Sequence, residues 1–215
     1  MPPLETDLRA LGLDTLVADA ALYRDPAGAL FDPAGTRVVC ATPELLRSVR
    51  YVLERERPGA WRQTGKAAGA GVGQSLAQAL DRQLAALAKP ALAAQPLDAC
   101  LALLARAFAA HGWGKLNLDL THAAEHGLVV ATLEHSCVAA VLPDANDTTD
   151  AFAAGALQAF FEHISGQHLG CEEIACRSAG AAHCVFVITT EERLSGVLPL
   201  IGREAPATVI ARLTR

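Results

Sequence analysis

The hydrophobic pattern of the chain changes its period near Gly112, and this change limits the folds that are open to it. Before Gly112, apolar side chains recur at helical spacing over residues 97–111. After it, residues 115–120 alternate strictly between polar and apolar side chains, and residues 128–134 carry a second strand pattern. The pattern predicts helices followed by an antiparallel hairpin around His126-Gly127.

Other segments of the chain carry the same two periods. They predict further helices at 42–57, 60–87 and 148–165, and further strands at 36–41, 168–176 and 184–189. The segment from Glu191 is expected to be helical at first and then broken by Pro199 and Pro206. The fold class indicated is α/β, more strictly α+β, with an antiparallel sheet packed against helices.

Four glycines in the first half of the helix predicted at 60–87 need a physical reason: Gly65, Gly69, Gly71 and Gly73. One explanation is a phosphate-binding loop, but no Lys-Ser or Lys-Thr pair follows the glycines and no strand clearly precedes them. The favoured explanation is a helix face, or a helix start, that another backbone approaches closely.

Charge and cysteine content limit the compartment and the partners. A formal net charge of −5 leaves no basic stripe for phosphates, which argues against nucleic-acid binding. No stretch approaches the roughly 20 consecutive apolar residues of a membrane helix, and acidic residues stand where a secretory signal would be basic. We therefore expect a soluble cytoplasmic protein, in which the six cysteines stay reduced and serve metal binding or burial.

Two of those cysteines and a carboxylate meet around a predicted turn at Gly180. Glu173, Cys176 and Cys184 are residue types that zinc accepts in tetrahedral sets, and a hairpin turn can bring two cysteines to one ion. Their C-x7-C spacing differs from the C-x2-C spacing of zinc knuckles. The alternative is that both cysteines are small buried residues that flank a turn.

The string E-x-x-C-x-x-x-G-x-x-x-C-x-F from Glu173 to Phe186 resembles the C-terminal signature of the 4-vinyl-reductase-type domain family. That family is found in a bacteriochlorophyll-synthesis protein and in aromatic-sensing transcriptional activators. The Gly112-Trp-Gly element, the strand end at 133–136 and the helix start at 152–155 also agree. The resemblance covers about residues 60–190. It implies a small-molecule-sensor-like single domain at 60–190, with an N-terminal extension at 1–59 (short helix, strand, helix) and a C-terminal tail at 191–215.

The resemblance also implies one structural zinc ion. Zinc-binding members hold it with a cysteine at the start of the long helix and with the residues that match Glu173, Cys176 and Cys184. Asp150 stands in this chain where that first cysteine would be. Either Asp150 supplies an oxygen ligand, or Cys171 replaces the thiolate, since it shares a strand face with Glu173. The softer thiolate of Cys171 is slightly favoured, and the alternative role for Asp150 is a carboxylate in the first turn of the helix.

A sensing cavity between the sheet and the helices is likewise implied by the resemblance. Six side chains are expected to line it or to form the core beside it: Trp113, Leu118, Val130, Leu133, Phe152 and Phe160. For each of them a plain core position is the simpler interpretation. The identity of the ligand does not transfer from the family.

The function expected from these features is a non-enzymatic regulatory module, with no catalytic residues assigned. Its partner would be a small apolar or aromatic ligand, or another protein, and the chain would form a homodimer. One alternative is an accessory subunit of a larger complex, because the element that begins at Gly112-Trp113 is also similar to one in a small subunit of bacterial cellulose synthesis. Another is a tetrapyrrole carrier or vinyl reductase, although no recognisable nicotinamide or flavin motif is present.

Overall fold

The computed structural model describes residues 6–17, 22–31, 35, 37–142 and 149–215. The predicted starts of a strand at Thr36 and of a helix at Thr148 lie outside these residues. The helices are α1 (Pro43–Glu56), α2 (Ala60–Ala86), α3 (Leu97–Ala110), α4 (Ala123–His126), α5 (Cys137–Val141), α6 (Ala151–Ser165), α7 (Glu191–Ser195) and α8 (Pro206–Leu213). The strands are β1 (Tyr23–Arg24), β2 (Leu30–Phe31), β3 (Arg37–Val38), β4 (Lys115–Asp119), β5 (Val129–Glu134), β6 (Gly170–Ala175) and β7 (Cys184–Thr189).

The last four strands form one antiparallel sheet in the order β4-β5-β7-β6. The predicted hairpin is confirmed, with Leu116 opposite Leu133. A second, small sheet of three two-residue strands, β1-β2-β3, precedes α1. The predicted fold class, a mixed fold with an antiparallel sheet packed against helices, is thereby confirmed.

Both faces of the four-stranded sheet are covered by helices, which explains why its central strands are rich in apolar residues. On one face, side chains of α2, α3 and α6 pack against the sheet in the main core, where Phe108, Phe160 and Phe186 are fully buried. On the other face, α7 and α8 cover a smaller cluster that includes Val130 and Val187. This smaller group is called the second cluster below.

Three features of the helices differ from the sequence prediction. The link between β4 and β5 contains the four-residue helix α4, and α5 follows β5; both are too short to show a helical period. Pro206 was expected to break the tail, but it begins α8 instead. A proline is tolerated there because the first amide of a helix needs no partner within the helix.

The glycines of α2 lie where α6 approaches most closely. A Cβ atom at Gly69 would lie 2.0 Å from the carbonyl oxygen of Phe152, and one at Gly155 would lie 2.0 Å from that of Lys66. A Cβ atom at Gly73 would meet the carbonyl oxygen of Ala156 at 2.3 Å. The predicted close approach of another backbone is confirmed at these positions, whereas Gly71 faces open space.

Helix α1 uses one side for packing and leaves another exposed. Leu46 and Leu53 pack against a third cluster that contains Trp61 and Val141. The predicted start of α1 at Thr42-Pro43 is confirmed. Among the residues that the structure describes, no helix combines the length and the apolar content needed to cross a membrane.

Candidate metal centre

Glu173, Cys176 and Cys184 meet at the open end of the β6–β7 hairpin. Glu173 lies on β6, Cys176 follows that strand, and Cys184 begins β7. Between them the chain turns through a short 3-10 segment that ends at Gly180, whose φ of +93° suits glycine. One ligand atom from each of the three side chains lies within 4.8 Å of the other two. The three residues predicted from the signature are therefore brought together.

The geometry of the three side chains fits a zinc ion. The two sulfur atoms, Sγ of Cys176 and Sγ of Cys184, are 3.7 Å apart. Two thiolates bound to one tetrahedral zinc at about 2.3 Å would be separated by about 3.8 Å. Oε2 of Glu173 accepts the backbone N–H of Asp150 at 2.8 Å, while its buried Oε1 has no hydrogen-bond partner among the described residues. A cation beside Oε1 would supply the missing partner for this buried oxygen.

The electrostatics of the cluster point the same way. Burial raises the pKa of Glu173, and the nearby charge of Asp150 adds to that shift. The hydrogen bond between the two thiols lowers the pKa of Cys176 and raises that of Cys184. The cations closest along β6, Arg62 and Lys66, bind the neighbouring Glu172 instead. A divalent cation would stabilise all three groups in their deprotonated forms.

Hydroxyl groups surround Cys176, and the sequence gave little indication of them. The Cys176 sulfur lies 2.9 Å from Oγ of Ser178 and 3.4 Å from Oγ1 of Thr149, and these two oxygens are 2.7 Å apart. The indole N–H of Trp61 donates to the backbone carbonyl of Thr149 at 3.0 Å and fixes the chain before α6. The only sequence signal is that Ser178 lies two residues after Cys176.

Asp150 lies beside the group but serves the start of α6. Its Oδ1 accepts the backbone N–H of Ala153 at 3.0 Å, which is an N-cap contact, and its Oδ2 accepts the hydroxyl of Ser136 at 2.5 Å. Burial raises the pKa of Asp150 to about 6. This is the helix-start role that the sequence pattern offered as the alternative, and Asp150 is not in the three-residue group.

Cys171 is separated from the group by the register of the sheet. It is buried on the same face of β6 as Glu173, opposite Ile188 of β7. Ile188 is four residues from Cys184, which corresponds to about 13 Å along a strand. Cys171 is not in the three-residue group either. The predicted face of Cys171 is confirmed, but the register holds it away from the two thiols.

The six residues expected near a ligand cavity do not all lie together. Leu118, Leu133 and Phe160 belong to the main core or pack against it. Trp113 is half-buried at the edge of that core and contacts Phe152, which packs against the third cluster. Val130 lies on the opposite face of the sheet, in the second cluster. A single cavity between the sheet and α6 would therefore exclude Val130.

A small crevice lies beside the metal centre, between the first turns of α2 and α6 and strand β6. Its residues are Arg62, Lys66, Ala151, Ala154, Glu172 and Glu173. Both cations donate to Glu172, Arg62 at 2.6 Å and Lys66 at 2.7 Å. The crevice therefore places positive charge next to one of the three candidate ligands.

A known family model matches part of the chain. Residues 129–190, which contain Glu173, Cys176 and Cys184, match the model of the vinyl-4-reductase domain. No curated protein sequence matches the chain. The match to the family model confirms the resemblance to the 4-vinyl-reductase-type family.

Two solved structures are similar to this one. The phenol-responsive sensory domain of the transcription activator PoxR, solved with phenol, has a TM-score of 0.69 at 14% identity, and 98% of each chain is covered. A vinyl-4-reductase family protein from Methanocaldococcus jannaschii has a TM-score of 0.45 at 15% identity, covering 71% of this chain and 82% of that chain. The first of these shows that the chain shares its fold with a sensory domain along almost its full length.

Proposed function

We propose that this chain is a regulatory module that binds a small aromatic molecule without turning it over, and that one structural zinc ion stabilises it. The fold shared with a phenol-responsive sensory domain supports the regulatory part of the proposal. The division into residues 1–59, 60–190 and 191–215 is retained as part of it. The six free cysteines fit the cytoplasmic location that we propose.

The observation that carries the ligand proposal is an aromatic group around Trp113. Its ring meets Phe108 and Phe152 edge to face, at centroid distances of 5.1 and 5.6 Å. The His111 ring lies 5.0 Å from it. Rings in such arrangements attract a further aromatic ring through the same edge-to-face contacts. The half-buried position of Trp113 leaves part of its surface for that contact.

His111 adds a polar group of suitable chemistry. Its Nδ1 lies 2.8 Å from the backbone carbonyl of Ala107, so Nδ1 carries the proton and Nε2 is the acceptor in the neutral ring. A phenolic hydroxyl is a donor that matches this acceptor. Aromatic surface with one acceptor beside it favours phenols over fatty acids and porphyrins as ligands.

The ligand proposal predicts a shift in thermal stability. A ligand that binds only the folded protein stabilises it by about 2.7 kcal/mol at a hundredfold excess over its Kd. We expect phenol or a simple substituted phenol to raise the melting temperature, and fatty acids and porphyrins to leave it unchanged. The proposal fails if no aromatic compound moves the transition.

The two tryptophans of the chain allow the site to be located. In a Trp61→Phe variant the remaining Trp113 should report phenol binding through a change in its emission. In the matched Trp113→Phe variant, emission from Trp61 should not respond, because Trp61 lies in the third cluster. A response from Trp61 alone would place the ligand elsewhere.

The homodimer that we propose is supported by an apolar stripe on α1. Leu45, Val49 and Val52 recur at helical spacing and are 53%, 41% and 56% exposed. Exposed apolar residues in a contiguous stripe are typical of protein–protein interfaces. A second copy of this chain is the proposed occupant of the stripe.

A charge within the stripe should separate the two copies. We expect Val49→Glu to raise the dimer dissociation constant by at least about tenfold, or about 1.4 kcal/mol, because it buries an unpaired carboxylate. Tyr51→Glu adds the same charge outside the stripe and should leave the constant nearly unchanged. Sedimentation equilibrium measures both. A wild-type protein that is monomeric alone and found only in a larger complex would favour the accessory-subunit alternative.

A further inference from the structure

We infer that the metal centre of this chain has only three protein ligands and leaves its fourth position to a small exchangeable donor, of which water is the first member. The inference rests on the proposed zinc site. It concerns what Glu173, Cys176, Cys184 and their neighbours leave open around the ion.

Asp150 is already engaged in other contacts. One of its carboxylate oxygens caps α6 through Ala153, and the other accepts the hydroxyl of Ser136. Its backbone N–H also holds Oε2 of Glu173. Rotating the carboxylate toward the sulfur atoms would break the cap and the contact with Ser136, both of them buried. Asp150 therefore positions Glu173 without binding the ion itself.

No other acidic, cysteine or histidine side chain of the described residues joins the group. Two donors bound to one zinc ion can be at most about 4.6 Å apart, twice the zinc–sulfur distance. Even at the slightly wider separation of 4.8 Å, the described residues whose donor atoms all lie near one another are Glu173, Cys176 and Cys184. The hydroxyls of Thr149 and Ser178 contact the Cys176 sulfur, and as hydrogen-bond donors they stabilise its thiolate.

Space and charge favour a small donor beside Glu173. The crevice next to Glu173 has a volume of about 10 Å³, which is about what one water molecule requires. Zinc with one carboxylate and two thiolates carries a net charge of −1. Arg62, Lys66 and Glu172 together carry +1, so the site and its crevice are balanced when the added donor is neutral. A neutral molecule of one or two heavy atoms is the ligand class that fits.

Cobalt(II) in place of zinc tests this inference by electron paramagnetic resonance. In water enriched in the magnetic oxygen isotope, a bound water should broaden the cobalt signal of the wild-type chain. Asp150→Cys places a thiol near the fourth position, and we expect it to abolish the broadening and to intensify the thiolate-to-cobalt absorption. Asp150→Asn keeps a capping side chain. It should retain both the broadening and a cobalt dissociation constant within a few-fold of wild type.

Two outcomes would overturn the inference while leaving the proposed zinc site intact. One is wild-type protein that binds cobalt with no isotope broadening. The other is an Asp150→Asn variant that is folded by circular dichroism but loses cobalt, because Asp150 would then be a ligand. Wild-type protein that binds neither cobalt nor zinc would overturn the zinc site and this inference together.

Discussion

Replacing Cys184 with serine is expected to reduce bound zinc from about one ion per chain to less than a tenth of an ion. The serine hydroxyl is a poor zinc ligand, and the remaining donors are one thiolate and one carboxylate. Structural zinc binding contributes about 10–16 kcal/mol in small zinc-finger peptides, so even a fraction of this energy is a large share of a domain's stability. Elemental analysis and urea unfolding of the same preparation measure the two losses together.

Cys171→Ser is the matched control for this substitution. Cys171 and Cys184 are both fully buried on the same face of the sheet, so each substitution places a hydroxyl in the core. We expect Cys171→Ser to lower the free energy of unfolding while the zinc content stays at one. Loss of zinc from Cys171→Ser with retention in Cys184→Ser would reverse the assignment of these two cysteines.

Gly69→Ala is expected to destabilise the protein by about 1–3 kcal/mol or more, although alanine is the better helix former. Its Cβ would lie 2.0 Å from the carbonyl oxygen of Phe152, and both atoms belong to the rigid helices α2 and α6. The helices must separate to relieve this overlap. The cost exceeds the gain of about 1 kcal/mol in helix propensity.

Gly71→Ala provides the opposite expectation on the same helix. A Cβ atom at Gly71 meets nothing within 4 Å, so only the gain in helix propensity remains. We expect the free energy of unfolding to rise by about 0.5–1 kcal/mol. Denaturant unfolding of the two variants side by side provides the measurement. Equal effects at both positions would contradict the close contact between α2 and α6.

The periodic elements were predictable because their pattern is local. The spacing of apolar residues located α2, α3 and the β4–β5 hairpin, and glycines at intervals of four marked the face of α2 that α6 approaches. The helices α4 and α5 escaped because four or five residues are too few to show a period. The prediction for Pro206 was wrong because a proline that begins a helix and one that ends it differ only in the residues on their C-terminal side.

The metal centre was predictable only where the chain brings its own residues together. Glu173, Cys176 and Cys184 lie on one hairpin, so their proximity is a result of its turn. The environment of that hairpin depends on long-range contacts: the Asp150 N–H on Glu173 spans 23 residues, and the Trp61 indole N–H on the Thr149 carbonyl spans 88. Side-chain hydrogen bonds at such separations leave no periodic signal in the sequence.

Two positions show how strand geometry decides what one residue can reach. Val130 and Leu133 are three apart on β5 and so face opposite sides of the sheet, a fact that the sequence pattern already contained. Cys171 shares a face with Glu173, as its spacing predicted. Its distance from Cys184, however, depends on the register between β6 and β7, which only the paired strands reveal.

The zinc centre is tested most simply by the metal content of the wild-type chain, purified without chelator under reducing conditions. Native mass spectrometry and elemental analysis of one sample give the stoichiometry and the identity of the metal. We expect one zinc ion per chain, with Glu173, Cys176 and Cys184 as its protein ligands. Less than about a tenth of an equivalent of any metal in folded protein would show that the three side chains do not form a zinc site.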